Sequence, residues 1–213
     1  MNKQVVANSL GTERVGKLMI RYAIPSIISI VVNSLYNMVD QIFIGQGVGY
    51  LGNAATNIIL PLTSILLALG MMIGDGAASY MSLSLGKSRT GDAAQGVGNA
   101  VTLTVGVSVL LLVLFELFLE PLCHLFGATE GNLPYALEYG SIIVLGFPFA
   151  MIDGAFGSII RADGRPKVSM IGLLIGCITN MILDPIFIFV CHWGVKGAAW
   201  ATIIGQVLNA VYF

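Results

Sequence analysis

Residues 168–190, VSMIGLLIGCITNMILDPIFIFV, decide the fold. A helix of this length rises about 34 Å, enough to cross a hydrocarbon core of about 30 Å. The apolar residues run continuously and do not alternate, so the segment is a helix and not a barrel strand. After Lys167 its one charged side chain is Asp184, followed at once by Pro185. An ionisable group inside a span is costly, so Asp184 is a functional candidate by default. Asp40 stands in an apolar run near the N-terminus in much the same way.

The rest of the chain repeats this pattern. It is 56% hydrophobic and 10% charged, against about 25% charged in soluble domains. An integral membrane protein follows. A net charge of −1 argues against a nucleic-acid partner. The apolar run from Tyr22 is too long for a signal-peptide core and is expected to be a retained span.

Apolar runs at 18–44, 54–85, 95–119, 134–160, 168–190 and 194–213 predict six transmembrane helices, an all-α membrane protein. Residues 1–17 form an N-terminal segment ahead of them. Nine of the ten Lys and Arg residues fall on one side of this topology, and only Lys196 on the other. The positive-inside rule makes that side cytoplasmic, with the N-terminus inside. Glu116, Glu120, Glu130 and Glu138 gather at the outer turn. The last span closes on Ala210-Val-Tyr-Phe213 without a basic cluster, which suggests one lobe of something longer.

Counting at 1.5 Å per residue gives each polar residue a depth. Measured from the outer surface, Asp40 is roughly 6 Å deep, Tyr139 7 Å, Asp184 9 Å, Thr202 12 Å and Asn180 15 Å. Four spans thus contribute polar groups to one layer of the outer half. Asn180 and Asp184 share a helix face, four residues apart. Asn33, Tyr36, Asn37 and Asp40 form a polar stripe that must face protein or water. Carboxylates, an amide oxygen and hydroxyls at one level suit a hard cation or a proton.

Pro25, Pro61, Pro148 and Pro185 lack an N–H and favour bends in their spans. Carbonyls so released can also coordinate ions. Asp75 and Asp153 fall near the cytoplasmic ends of their spans. They are expected to pair at the interface with basic residues such as Arg161, or to close an inner gate with it. The glycines at 70, 74, 76, 86, 154 and 157 are expected to permit close helix packing. Cys123-His124 and Cys191-His192 fall in outer turns, where small thiols and interfacial imidazoles are ordinary; a metal site or disulfide is the alternative.

These pieces, taken in order, resemble the MATE (multidrug and toxic compound extrusion) family. The resemblance is carried by Pro25 and Asp40, by Tyr80-Met-Ser-Leu-Ser-Leu-Gly86, and by Arg161-Ala-Asp-Gly-Arg-Pro166. Asn180 to Pro185 and Gly194-Val-Lys-Gly-Ala-Ala-Trp-Ala-Thr202 complete it. It covers nearly the whole chain. Gly154, Gly157 and Ser158 stand where the pattern often has an asparagine.

The resemblance implies a cation-coupled efflux antiporter of twelve helices in two six-helix lobes, this chain matching the N-terminal lobe. In the DinF-like branch it implies an N-lobe cation site at Asp40, Tyr139, Asn180, Asp184 and Thr202. Pro25, Asn33, Tyr36, Asn37 and Pro185 would line the cavity or bend its helices. The coupling ion would be H⁺ or Na⁺, the latter held at Asp40 and Asp184, with no cofactor. The partners expected are a cationic or amphipathic small molecule, the bilayer and a second six-helix lobe.

A lipid-linked oligosaccharide flippase of the same superfamily would favour basic residues in its cavity to meet pyrophosphate, and the spans carry acids instead. A channel would show a repeated pore motif. A non-transporting assembly lobe is the remaining rival. An enzyme is excluded by the lack of a clustered nucleophile and base.

Overall fold

The computed structural model describes residues 14–213, and every regular element among them is helical. Lys3 and the rest of residues 1–13, most of the expected N-terminal segment, lie outside the described residues. The helices are α1 (Val15–Gly47), α2 (Tyr50–Gly86), α3 (Thr90–Leu117), α4 (Leu119–Leu125), α5 (Leu133–Leu145), α6 (Phe147–Ala162), α7 (Pro166–Pro185) and α8 (Gly194–Tyr212). A π-helical segment, Ile186–Val190, extends α7.

Four of these are long and apolar enough to cross a membrane: α1, α2, α3, and α7 with its π segment. The expected span 134–160 is instead two helices, α5 and α6, bent by 55° about Gly146. Counted as one broken span, they make a fifth. The break explains Pro148: it starts a helix, where a missing N–H costs nothing, and does not interrupt one. Pro134 and Pro166 begin α5 and α7 in the same way. Pro25 and Pro61 do lie inside α1 and α2. The expected sixth span is α8, a helix of 19 residues that carries Lys196, Thr202, Gln206 and Asn209. Its polar residues keep it below the hydropathy of the others.

α2 forms the centre of the packing, against α3, α5 and α6. Ile59, Leu62 and Leu66 of α2 meet Val144, Phe147 and Met151, all essentially inaccessible. Phe115 stands edge-on to Phe147 with ring centroids 5.6 Å apart. Small residues set the helix spacing: a Cβ on Gly74 would lie 2.6 Å from the Ala155 Cα. Gly70 meets Met151 in the same way, whereas Gly76 and Gly86 face open space and fix no packing distance.

α1 is built differently. It lies chiefly against α7, and of its 33 residues only Pro25, Asp40 and Ile44 are buried. Met19, Ile20, Ile27, Ile30, Leu35 and Met38 are exposed. In water this would be a poor arrangement; against lipid tails, apolar side chains have no reason to leave the surface. A helix that exposes its methionines and most of its isoleucines, and buries an acid, is organised around the acid.

Candidate functional site

Asp40 reaches inward from α1 and meets Asp184 of α7, the two carboxyl groups facing each other within hydrogen-bond reach. Asp184 is 0% exposed and Asp40 8%. α7 supplies Asn180 one turn before Asp184 on the same face. α8 supplies Thr202, and the Asn180 amide donates to its hydroxyl at 3.1 Å. Tyr36, one turn before Asp40, brings its hydroxyl within reach of Thr202. From α5, Tyr139 lies close enough to feel Asp40, Tyr36 and Asp184. All five residues expected at the cation site, and Tyr36 with them, therefore meet in one place.

The backbone makes this possible where α7 crosses α8. A Cβ on Gly205 would lie 2.7 Å from the Gly176 carbonyl oxygen and 3.6 Å from the Asn180 Cβ. The two glycines bring the helices close enough for a short amide to span them. Beyond Asp184 the backbone loosens: Pro185 ends α7, and in the π segment the Cys191 N–H donates to the Ile186 carbonyl at 2.9 Å.

The site is rich in acceptors. Both Asp184 oxygens, Asp40 Oδ1 and Asn180 Oδ1 are buried without a donor. The ion pairs Arg89–Asp92, Arg165–Asp163 and Lys196–Glu138 all lie at partly exposed side chains and involve neither of these acids. Buried carboxylates without counter-charge require a proton or a cation. One proton makes the facing carboxyls a donor and an acceptor. Alternatively, carboxylate and amide oxygens suit a hard cation such as Na⁺. Among the described residues no three His, Cys, Asp or Glu converge as metal ligands. Cys123 and Cys177 are buried and Cys191 exposed, all as free thiols.

The expected α1 stripe divides. Tyr36 and Asp40 turn inward, while Asn33 and Asn37 are exposed and bond to each other, Asn37 Nδ2 donating to Asn33 Oδ1 at 3.1 Å. Pro25 is buried on α1, 15 positions from Asp40, and Pro185 adjoins Asp184. The three gate candidates do not come together as ion pairs. Asp75 is exposed, and Arg161 donates to Ser158 at 2.9 Å and Ser169 at 3.3 Å. Asp153 is set instead beside Asn209 of α8. Asn209 and Gln206 escaped the sequence reading; their signal is the spacing of four residues from Thr202 to Gln206 and three from Gln206 to Asn209.

Long apolar helices packed around buried acids define a helical membrane protein. The MatE family model matches residues 25–186, most of the chain, and the protein belongs to that family of transporters, which are not enzymes. Multidrug export protein MepA of Staphylococcus saprophyticus is 31% identical over 206 residues, covering 92% of this chain and 44% of its own length. Solved structures of MATE in a bent and in a straight conformation superpose with TM-scores of 0.86 and 0.88, each 26% identical. They cover 92% and 96% of this chain, and 44% and 45% of their own chains. The chain thus spans about half the length of the relatives it matches.

Proposed function

We propose that this chain is the N-terminal lobe of a cation-coupled antiporter that exports cationic or amphipathic compounds by alternating access. It crosses the plasma membrane six times in this reading, with its N-terminus inside and α5–α6 and α8 as the fourth and sixth spans. A second six-helix lobe completes the central cavity, towards which the exposed Asn33 and Asn37 face.

The observation that carries the reading is the pair Asp40–Asp184, buried and facing, with three of its oxygens lacking any donor. From the outward-open side, H⁺ or Na⁺ enters at the pair, held also by Asn180, Thr202, Tyr36 and Tyr139. Neutralising the pair removes the repulsion between α1 and α7. α1, lightly packed and interrupted at Pro25, then bends or repacks and displaces the substrate. With the pair charged, the cavity favours a cation. That solved MATE structures include a bent and a straight conformation supports a moving element.

The flippase reading is disfavoured by charge: among the described residues, the buried polar side chains include Asp40 and Asp184 but no Lys or Arg. The test is export of a cationic dye from vesicles containing the chain with its second lobe, comparing Asp40→Asn and Asp184→Asn with the parent. Loss of ion-driven export in both is expected. Unchanged export in both sinks the assignment.

A further inference from the structure

Inward of the acid pair, α8 continues its polar face. Thr202, Gln206 and Asn209 lie four and three residues apart, on one side of the helix, over about 10 Å of rise. Gln206 stands at the bend between α5 and α6, where a Cβ on Gly146 would lie 2.9 Å from its Oε1. Asn209, 8% exposed, sits beside the carboxyl group of Asp153 on α6. Asp153 Oδ1 and Asn209 Oδ1 are both buried without a donor. The Asn209 oxygen fills the space left by the missing side chain of Gly172, where a Cβ would overlap it.

Among the described residues, the ion pairs Arg89–Asp92, Arg165–Asp163 and Lys196–Glu138 leave Asp153 out. On its own helix, Arg161 lies two turns away and is engaged by Ser158 and Ser169. α2 presents Gly70 and Gly74 to α6 and leaves Asp75 exposed. On α5, Glu138 is paired with Lys196 of α8. On α3, Asp92 is paired with Arg89, and on α7, Lys167 is exposed while Asp184 faces Asp40. What Asp153 does have is an amide, which serves either protonation state. A carboxylate accepts from the amide nitrogen; a carboxylic acid donates to the amide oxygen after the amide rotates.

We propose that Asp153 and Asn209 form a second proton-binding site, loaded from the outer pair along the Thr202–Gln206–Asn209 face of α8 and emptied toward the Arg161 end. The proposal rests on the reading of Asp40–Asp184 as the coupling site. The chemistry is proton transfer alone: one carboxyl O–H is broken at the outer pair, one is formed at Asp153, and the proton then passes to water. Arg161, hydrogen-bonded to Ser158 and Ser169, marks the exit and disfavours return of a positive charge.

The test is the infrared band of protonated carboxyl groups in the purified chain in lipid, recorded as pH is varied. In the Asp40→Asn, Asp184→Asn double variant, one titrating band is expected to persist, and adding Asp153→Asn removes it. In the otherwise unaltered chain, Asn209→Leu shifts that band to the frequency of a carboxyl without a hydrogen-bond acceptor, leaving its area intact. A band indifferent to Asp153→Asn, or to Asn209→Leu, overturns the proposal. The outer pair is judged separately, by the band that the double variant loses. If the parent chain has no such band and binds no Na⁺, the coupling site fails, whatever Asp153 does.

Discussion

Asn180 donates its amide to the Thr202 hydroxyl at 3.1 Å and thereby leaves its own carbonyl oxygen buried without a donor, one turn from Asp184. The bond fixes which end of the amide faces the acids. An asparagine free to rotate could offer its N–H groups to them; held by Thr202, it adds a third acceptor to two carboxylates. A set of acceptors without donors is unfavourable to an anion and suits the cation that the proposed coupling site would take.

Thr202→Val removes the acceptor and keeps the shape. The Asn180 amide then loses its partner, a loss of about 1–2 kcal/mol for a buried donor. Freed to rotate, it competes with the cation for the carboxylates. The half-saturating concentration of the coupling ion is expected to rise about 5- to 30-fold by the same free energy. Ion-dependent dye export measures it. Maximal export at saturating ion changes far less.

Cation binding is also readable without transport. A ligand that binds only the folded state stabilises it by RT ln(1 + [L]/Kd), about 2.7 kcal/mol at one hundred times Kd. Unfolding of the purified chain in detergent, followed through Trp193 and Trp200, is therefore expected to shift upward with Na⁺ if that is the coupling ion, and not with K⁺. Asp184→Asn is expected to abolish the shift. A response that survives this substitution places the ion elsewhere.

The convergence of Asp40, Tyr139, Asn180, Asp184 and Thr202 was legible because counting along apolar runs sets them at similar heights, and because a charge in an apolar run has few structural explanations. Face was less legible than height. Asn33 and Asn37 share a stripe with Asp40 by spacing, yet only Tyr36 and Asp40 turn inward, because α1 touches its neighbours along a narrow strip near α7. The bend at Gly146 was invisible to hydropathy, which sees one apolar run; Pro148 was the clue, since it marks a helix start as readily as an interruption. Asn209 was missed because its partner is 56 positions away in the chain, on another helix, and no local pattern links it to Asp153.

Packing gives a prediction with an internal control. Gly74→Ala drives a methyl group into the Ala155 backbone, at 2.6 Å from its Cα, where nothing flexible can yield. Overpacking of this kind costs about 1–3 kcal/mol. Gly76→Ala, two residues on, meets open space and is expected to be neutral or slightly stabilising, since alanine is the better helix former. Thermal unfolding in detergent separates the two. Equal effects would show that α2 and α6 are not in the contact described.

The Glu138–Lys196 ion pair joins α5 to α8 above the site, at 2.6 Å, with side chains 37% and 53% exposed. Its exposure limits its worth to about 1 kcal/mol or less, and salt screens it further. Lys196→Gln is accordingly expected to lower the unfolding temperature only slightly at low ionic strength and not at all at high salt. A loss that persists in high salt would mean that the lysine does more than pair.

Gly205→Ala probes the site from a distance. The added methyl group meets the Gly176 carbonyl oxygen at 2.7 Å, backbone against backbone, so α7 and α8 must separate by several tenths of an ångström. Gly205 touches neither carboxylate, but the Asn180–Thr202 bond spans the same crossing and lengthens with it. The expected result is a weakened ion response in the unfolding experiment, of the same sign as Thr202→Val, with a modest loss of stability from the altered packing. In a Thr202→Val background the bond is already gone, and Gly205→Ala should then add its packing cost without a further loss of ion affinity. Full additivity in ion affinity would mean that the two residues act on the site independently, and that the close crossing of α7 and α8 serves packing alone.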